Sequence, residues 1–150
     1  MSNFYLIWML VGLMINVTPY MVEGDSMYPN LETGDVFLID QRLGEIERGD
    51  VIVFSYDDEY YYVKRVIGLP GETVKIEDEQ VFIRNEEGRY ESLNEPYLAQ
   101  AFDYGDERFF KVPEGEYFVM GDNRDSSRDS RYFTDPYIGS NLISGKYIWP

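Results

Sequence analysis

The sequence contains no histidine and no cysteine. Those absences remove much of the usual enzyme chemistry. Without histidine there is no Ser-His-Asp triad, and without cysteine there is no thiolate nucleophile. Zinc sites of the common kinds lose their ligands for the same reason. The missing cysteine leaves the compartment open, because an extracytoplasmic protein can do without disulfides and a cytosolic one needs none. Positive charge is also scarce: 13 Lys and Arg stand against 28 Asp and Glu, a formal net charge of −15. So acidic a surface repels nucleic acid, and no nucleic-acid partner is expected. No internal repeat is visible.

What is present is a chain of 150 residues, the size of one domain with one proper core. Aromatic residues make up 17%, with 14 Tyr and 9 Phe, which favours β-rich structure. Residues 1–22 carry no charged side chain, and Phe4 to Ile15 is unbroken apolar, aromatic or Gly. Pro19 ends any helix there. Roughly sixteen helical residues reach about 24 Å, short of the about 30 Å of a bilayer core. The segment 1–17 is therefore expected to be a membrane anchor, as a short span or an interfacial helix; the alternative is a buried core helix. A removable leader is disfavoured, because no basic n-region and no small-residue cleavage site precede Glu23.

From residue 18 onward the pattern is β-like. Asp35–Asp40, Asp50–Phe54 and Tyr60–Ile67 are short, largely apolar or aromatic runs behind turn residues. Val74–Ile76 and Gln80–Ile83 read as a hairpin around Glu77-Asp78-Glu79. Residues 84–111 are polar and aperiodic and read as an excursion from the core. Tyr117–Met120 and Ile143–Trp149 are expected as core strands.

Three pieces carry candidate chemistry. Ser26 sits in the turn-rich Gly24-Asp25-Ser26-Met27-Tyr28-Pro29. A serine hydroxyl needs a base, and with no histidine the main remaining candidate is a lysine kept neutral by burial. Lys64 lies in Tyr62-Val63-Lys64-Arg65-Val66. Alternation along a strand puts it on one face with Tyr62 and Val66, and Arg65 on the other. The third piece is the polar run Gly121–Arg131. It fails as a calcium loop, because Gly and Glu do not fall at the required offsets. No metal and no cofactor is expected.

Together these pieces resemble the type I bacterial signal peptidases. Gly24-Asp25-Ser26-Met27-x-Pro29-x-Leu31-x-x-Gly34-Asp35 resembles that family's nucleophile box, and Arg48-Gly49-Asp50-Val51-Ile52-Val53-Phe54 its next box. Tyr62-Val63-Lys64-Arg65-Val66-Ile67-Gly68-x-Pro70-Gly71 resembles the box with the general-base lysine. Gly121-Asp122-Asn123-Arg124-x-x-Ser127-x-Asp129-Ser130-Arg131 resembles the last box. The four occur in the family's order.

The resemblance implies a membrane-bound endopeptidase that removes signal peptides from exported preproteins with small residues before the cut. It implies an all-β catalytic core of small antiparallel sheets (residues 18–71 and 117–150) with a small inserted β cap (72–116) and a short N-terminal hydrophobic helix. Ser26 would be the nucleophile and Lys64 the general base. Ser127 would hydrogen-bond the lysine amine, Arg65 and Asp129 would form a supporting ion pair, and Arg131 and Gly24 would complete the surroundings. The implied setting is a monomer on the lipid bilayer of the bacterial cytoplasmic membrane, with residues 23–150 on the extracytoplasmic side. Three features depart from the family. Gly24 stands where some members carry a Ser that completes the oxyanion hole. The Gly expected soon after Arg131 is displaced to Gly139. No basic residue precedes the hydrophobic segment. Self-cleaving Ser-Lys repressors are the nearest rival, opposed by the charge and by the lack of a helix-turn-helix. A tethered β-domain that binds exported chains without cutting them is the rival from another class.

Overall fold

The computed structural model describes residues 16–57 and 60–149. The expected N-terminal helix lies outside those residues, apart from its last two positions. Of these, Val17 already belongs to a strand, so the β structure begins one residue earlier than the boundary read from the sequence. Among the described residues no helix is long and apolar enough to cross a membrane.

The fold is all-β and antiparallel. The strands are β1 (Val17–Met21), β2 (Val36–Asp40), β3 (Val51–Ser55), β4 (Tyr61–Gly68), β5 (Thr73–Glu77), β6 (Gln80–Arg84), β7 (Tyr90–Ser92), β8 (Arg108–Lys111), β9 (Glu116–Met120), β10 (Ile138–Gly139) and β11 (Ile143–Trp149). They form a seven-stranded sheet in the order β1-β2-β11-β3-β4-β9-β10 and a four-stranded sheet in the order β7-β6-β5-β8. β2 and β3 are not neighbours; β11 lies between them, antiparallel to both.

The larger sheet is buried on both faces in its middle, which explains the unbroken apolar run in β3. Ile52 and Phe54 join Val66, Val119, Phe133, Ile138 and Ile143 in one cluster. Val53 points the other way, to Val22, Met27, Leu31, Phe37 and Ile39. A third cluster joins the two sheets, with Ile67, Phe118 and Met120 against Val74, Ile76, Val81 and Ile83. The two sheets approach closely at Gly68, where the β4–β9 register shifts. A Cβ there would lie 2.6 Å from Val74 Cγ2 and 3.0 Å from Phe118 Cβ, so only glycine fits. The excursion at 84–111 is partly regular. It supplies β7 and β8, and its middle stretch lies against the loops that carry the candidate site.

Candidate active site

Ser26 lies in the turn between β1 and β2. Its neighbour Met27 is 1% exposed and sits in the cluster with Phe37 and Val53, which anchors the turn from below. From the other side the turn docks on the segment after β9. Asn123 N donates to Ser26 O at 3.0 Å, and Asn123 Nδ2 donates to Asp25 O at 3.1 Å. Gly121 makes that approach possible, because a side chain there would collide with Ser26 O and Ser127 Oγ. Gly24 has a φ of +88°, a left-handed conformation that a serine would adopt only with strain. Among the described residues none accepts a hydrogen bond from the Ser26 backbone N–H.

Lys64 lies within β4, opposite Ile52 of β3. It is 3% exposed, with its Nζ 2.7 Å from Ser26 Oγ and 2.8 Å from Val63 O. The Tyr62 ring centroid is 5.8 Å from the amine. Burial lowers the Lys64 pKa from the usual 10.5 to about 8, against an opposing pull from the Asp129 and Asp122 carboxylates. Desolvation prevails because the ammonium loses its water and gains no direct carboxylate contact. A lysine at pKa about 8 is about one-tenth neutral at pH 7. The pair can therefore pass a proton: the charged amine donates to Ser26 Oγ, and the hydroxyl donates to the neutral amine across the same distance.

The supporting residues are present, but two expected contacts differ. Arg65 does not pair with Asp129. Its Nε and Nη2 grip the two oxygens of Asp122 at 2.7 and 2.6 Å, and its Nη1 donates to Gly49 O at 2.8 Å. Asp129 instead is held by Arg131, whose Nε and Nη2 donate to it at 2.8 and 2.9 Å, both side chains being fully buried. Ser127 does not bond the lysine amine. Its hydroxyl donates to Asp129 Oδ2 at 2.7 Å, and that oxygen also accepts from Gly121 N at 2.9 Å. Asp129 thus ties the Gly121 turn, Ser127 and Arg131 into one unit behind Ser26.

Several residues of the site carried no sequence signal. Asn30 Nδ2 donates to Asp122 Oδ2 at 2.8 Å and to Tyr97 O at 2.9 Å. The Tyr97 ring lies 4.2 Å from the Arg65 guanidinium carbon, and its hydroxyl donates to Glu95 at 2.9 Å. Glu95 in turn pairs with Arg124, in a single 3₁₀ turn at Arg124–Ser126, both side chains being almost wholly buried. Arg124 also donates to Tyr104 Oη. Only local spacing is legible in sequence, and all of these contacts but Tyr97–Glu95 span 20 to 92 residues.

The Ser26–Lys64 pair opens into a groove of about 630 Å³, with Tyr20, Met21 and Val22 on one side and Tyr61, Tyr62 and Val63 on the other. Tyr20 and Tyr61 meet across it, ring centroids 5.6 Å apart. Among the described residues β1 pairs with β2 alone, which puts it at the edge of the larger sheet. A larger cleft of about 910 Å³ lies away from the pair, at the junction with the second sheet, where Arg48 is already matched by Glu72 at 2.6 Å.

A family model described as signal peptidase, peptidase S26, matches residues 2–150. The chain is similar to signal peptidase I S of Bacillus subtilis strain 168, 43% identical over 126 residues that cover 75% of this chain and 65% of that protein. It is similar to signal peptidase IB of Staphylococcus aureus strain N315, 34% identical over 164 aligned positions, covering 97% and 84%. A crystal structure of a signal peptidase I from Enterococcus faecalis V583 superimposes with a TM-score of 0.57 at 35% identity, covering 69% of this chain and 97% of that one. The chain spans 63% to 65% of the length of three of the Bacillus relatives it matches and 77% of a fourth.

Proposed function

The chain belongs to the signal peptidase family, peptidase S26, and from that premise we propose that it is a serine endopeptidase that cuts signal peptides from exported preproteins with Ser26 and Lys64. The observation that carries this reading is the buried lysine amine 2.7 Å from a serine hydroxyl, at the floor of an open groove.

In this mechanism the preprotein lies extended beside β1 and the start of β4, adding its backbone to the β1 edge. Neutral Lys64 takes the Ser26 proton as Oγ attacks the scissile carbonyl. The oxygen becomes negative and is met by the Ser26 N–H, which has no competing acceptor among the described residues. Lys64, now an ammonium, returns the proton to the departing amine. The freed amine then draws a proton from water, which attacks the ester and releases the signal peptide from Ser26. Asp129, with Arg131 and Ser127, holds the turn that backs Ser26. Arg65 and Asp122 hold the next turn of chain against β4.

The same reading assigns residues 1–17 to membrane attachment, 72–116 to an inserted cap, and the catalytic part to the extracytoplasmic side of the bacterial cytoplasmic membrane, acting as a monomer. Support for the attachment comes from the charge-free length of residues 1–22. The test is cleavage of a preprotein with an Ala-x-Ala site, in detergent, by the intact chain and by Ser26→Ala and Lys64→Ala. Cleavage after the second Ala by the intact chain, with a loss of at least about 10³-fold in each variant, is the expected result. Activity surviving Lys64→Ala would remove the lysine from its role. A folded intact chain that binds the preprotein without cutting it would make this a binding domain.

A further inference from the structure

The substrate groove does not stop at Ser26. Ser126, at the end of the 3₁₀ turn, lines it, and the same residue lines a second cavity of about 330 Å³. That volume falls at the low end of the roughly 300–1,000 Å³ of ligand clefts. Its walls are Tyr28 from the Ser26 turn, Asp125 and Ser126, and Ala99, Gln100 and Phe102 from the stretch before β8. The last wall is held in place: Gln100 Nε2 donates to Asp125 Oδ2 at 2.8 Å, Tyr97 O accepts from Asn30, and Glu95 pairs with Arg124.

We infer that this cavity binds the residues just after the scissile bond, the segment that becomes the start of the mature protein. The inference rests on the protease reading above. β1 and β4 flank the groove on one side of Ser26, where the signal-peptide side would lie. A chain that passes Ser26 leaves on the other side, over Ser126, and there the surface sinks into the second cavity. Tyr28, two residues beyond Ser26, is 48% exposed at its mouth. Its ring offers a flat apolar contact beside the cut.

The cavity also has a charge preference. The Asp122 carboxylate is matched by Arg65 and the Arg124 guanidinium by Glu95. Asp125 has the uncharged Gln100 as its hydrogen-bond partner and no ion-pair partner among the described residues, which leaves its negative charge unmatched at the rim. Neutral or basic residues are therefore accepted after the cut and acidic ones are rejected.

Two peptide substrates test this. They share the residues before the cut, but one ends at the first residue after it and the other extends four residues further. The intact chain is expected to favour the extended peptide about ten-fold in kcat/KM, equivalent to about 1.4 kcal/mol. Ala99→Trp, which fills the cavity from an exposed position, should bring that ratio close to one. Glu86→Trp, on an exposed turn of the second sheet, should leave it unchanged. An acidic residue in the extension should lower the rate about three-fold or more, and Asp125→Asn should remove that loss. A ratio unmoved by Ala99→Trp would overturn the inference while leaving the protease reading intact. Cleavage of neither peptide by the intact chain would overturn the protease reading, and the inference with it.

Discussion

As the proposed base, Lys64 has to lose its proton at a pH where a free lysine is charged, and its surroundings favour that by exclusion of water. Its activity should therefore follow its titration. With the pKa at about 8, kcat/KM is expected to rise with pH through that value and to level off above it. A profile flat from pH 6 to 10 would contradict a lysine base. The same burial costs stability. The folded pKa lies below the unfolded one, so between about 8 and 10.5 the unfolded chain binds more protons. The cost is absent above the unfolded pKa, builds up as pH falls from about 10.5 to about 8, and is fully present below the folded pKa. Lys64→Met, inactive, should accordingly be the more stable protein at pH 7, by on the order of 2–3 kcal/mol in urea unfolding. The gain should vanish near pH 11. The residue scale is also where sequence reading reached furthest and then stopped. Alternation along β4 gave Lys64 and Arg65 opposite faces. It could not decide between Asp122 and Asp129 as the partner of Arg65, because that choice needs the register of β4 on β9, which pairs Arg65 with Met120.

At the scale of elements, the legible strands were those whose burial is local: β2, β3, β4, the β5–β6 hairpin, β9 and β11 all announce themselves by apolar runs behind turn residues. β7 and β8 did not. β7 is exposed throughout, and in β8 exposed and half-buried residues alternate without an apolar run, so neither leaves a hydrophobic signature. The stretch between them reads as polar and aperiodic because its polar groups are spent on partners elsewhere in the chain. Glu95 is the clearest case. Its carboxylate lies in the interior against Arg124, and that pair fastens the second sheet's long connection to the loop behind Ser26. Removing one member of a buried ion pair strands the other. Glu95→Ala is expected to destabilise the protein by about 3–5 kcal/mol in urea unfolding. A loss below about 1 kcal/mol would mean that solvent reaches Arg124 there. Gly68→Ala, where the two sheets touch, should cost about 1–3 kcal/mol through overpacking, measured in the same way.

For the whole molecule the dominant quantity is the net charge of −15. It repels nucleic acid and sets a long-range attraction for cationic chains. The substrates proposed above, signal peptides, carry a positively charged start, so under that proposal substrate capture should be fastest at low ionic strength. Between about 0.05 and 0.5 M salt, kcat/KM for a substrate with a basic start should fall roughly three- to ten-fold, with kcat nearly unchanged. A neutral-start peptide should show little dependence, and equal salt curves for the two would remove steering from the account. The layout of the larger sheet adds a matter of timing. Ser26 belongs to the half built by β1 and β2, and Lys64 to the half built by β3 and β4. Within that sheet the halves are joined by β11, drawn from residues 143–149. A growing chain can thus carry both reactive side chains for some eighty residues of synthesis before the strand that unites them exists. Until that strand inserts, the chain holds both members of the proposed pair without the sheet that brings them together.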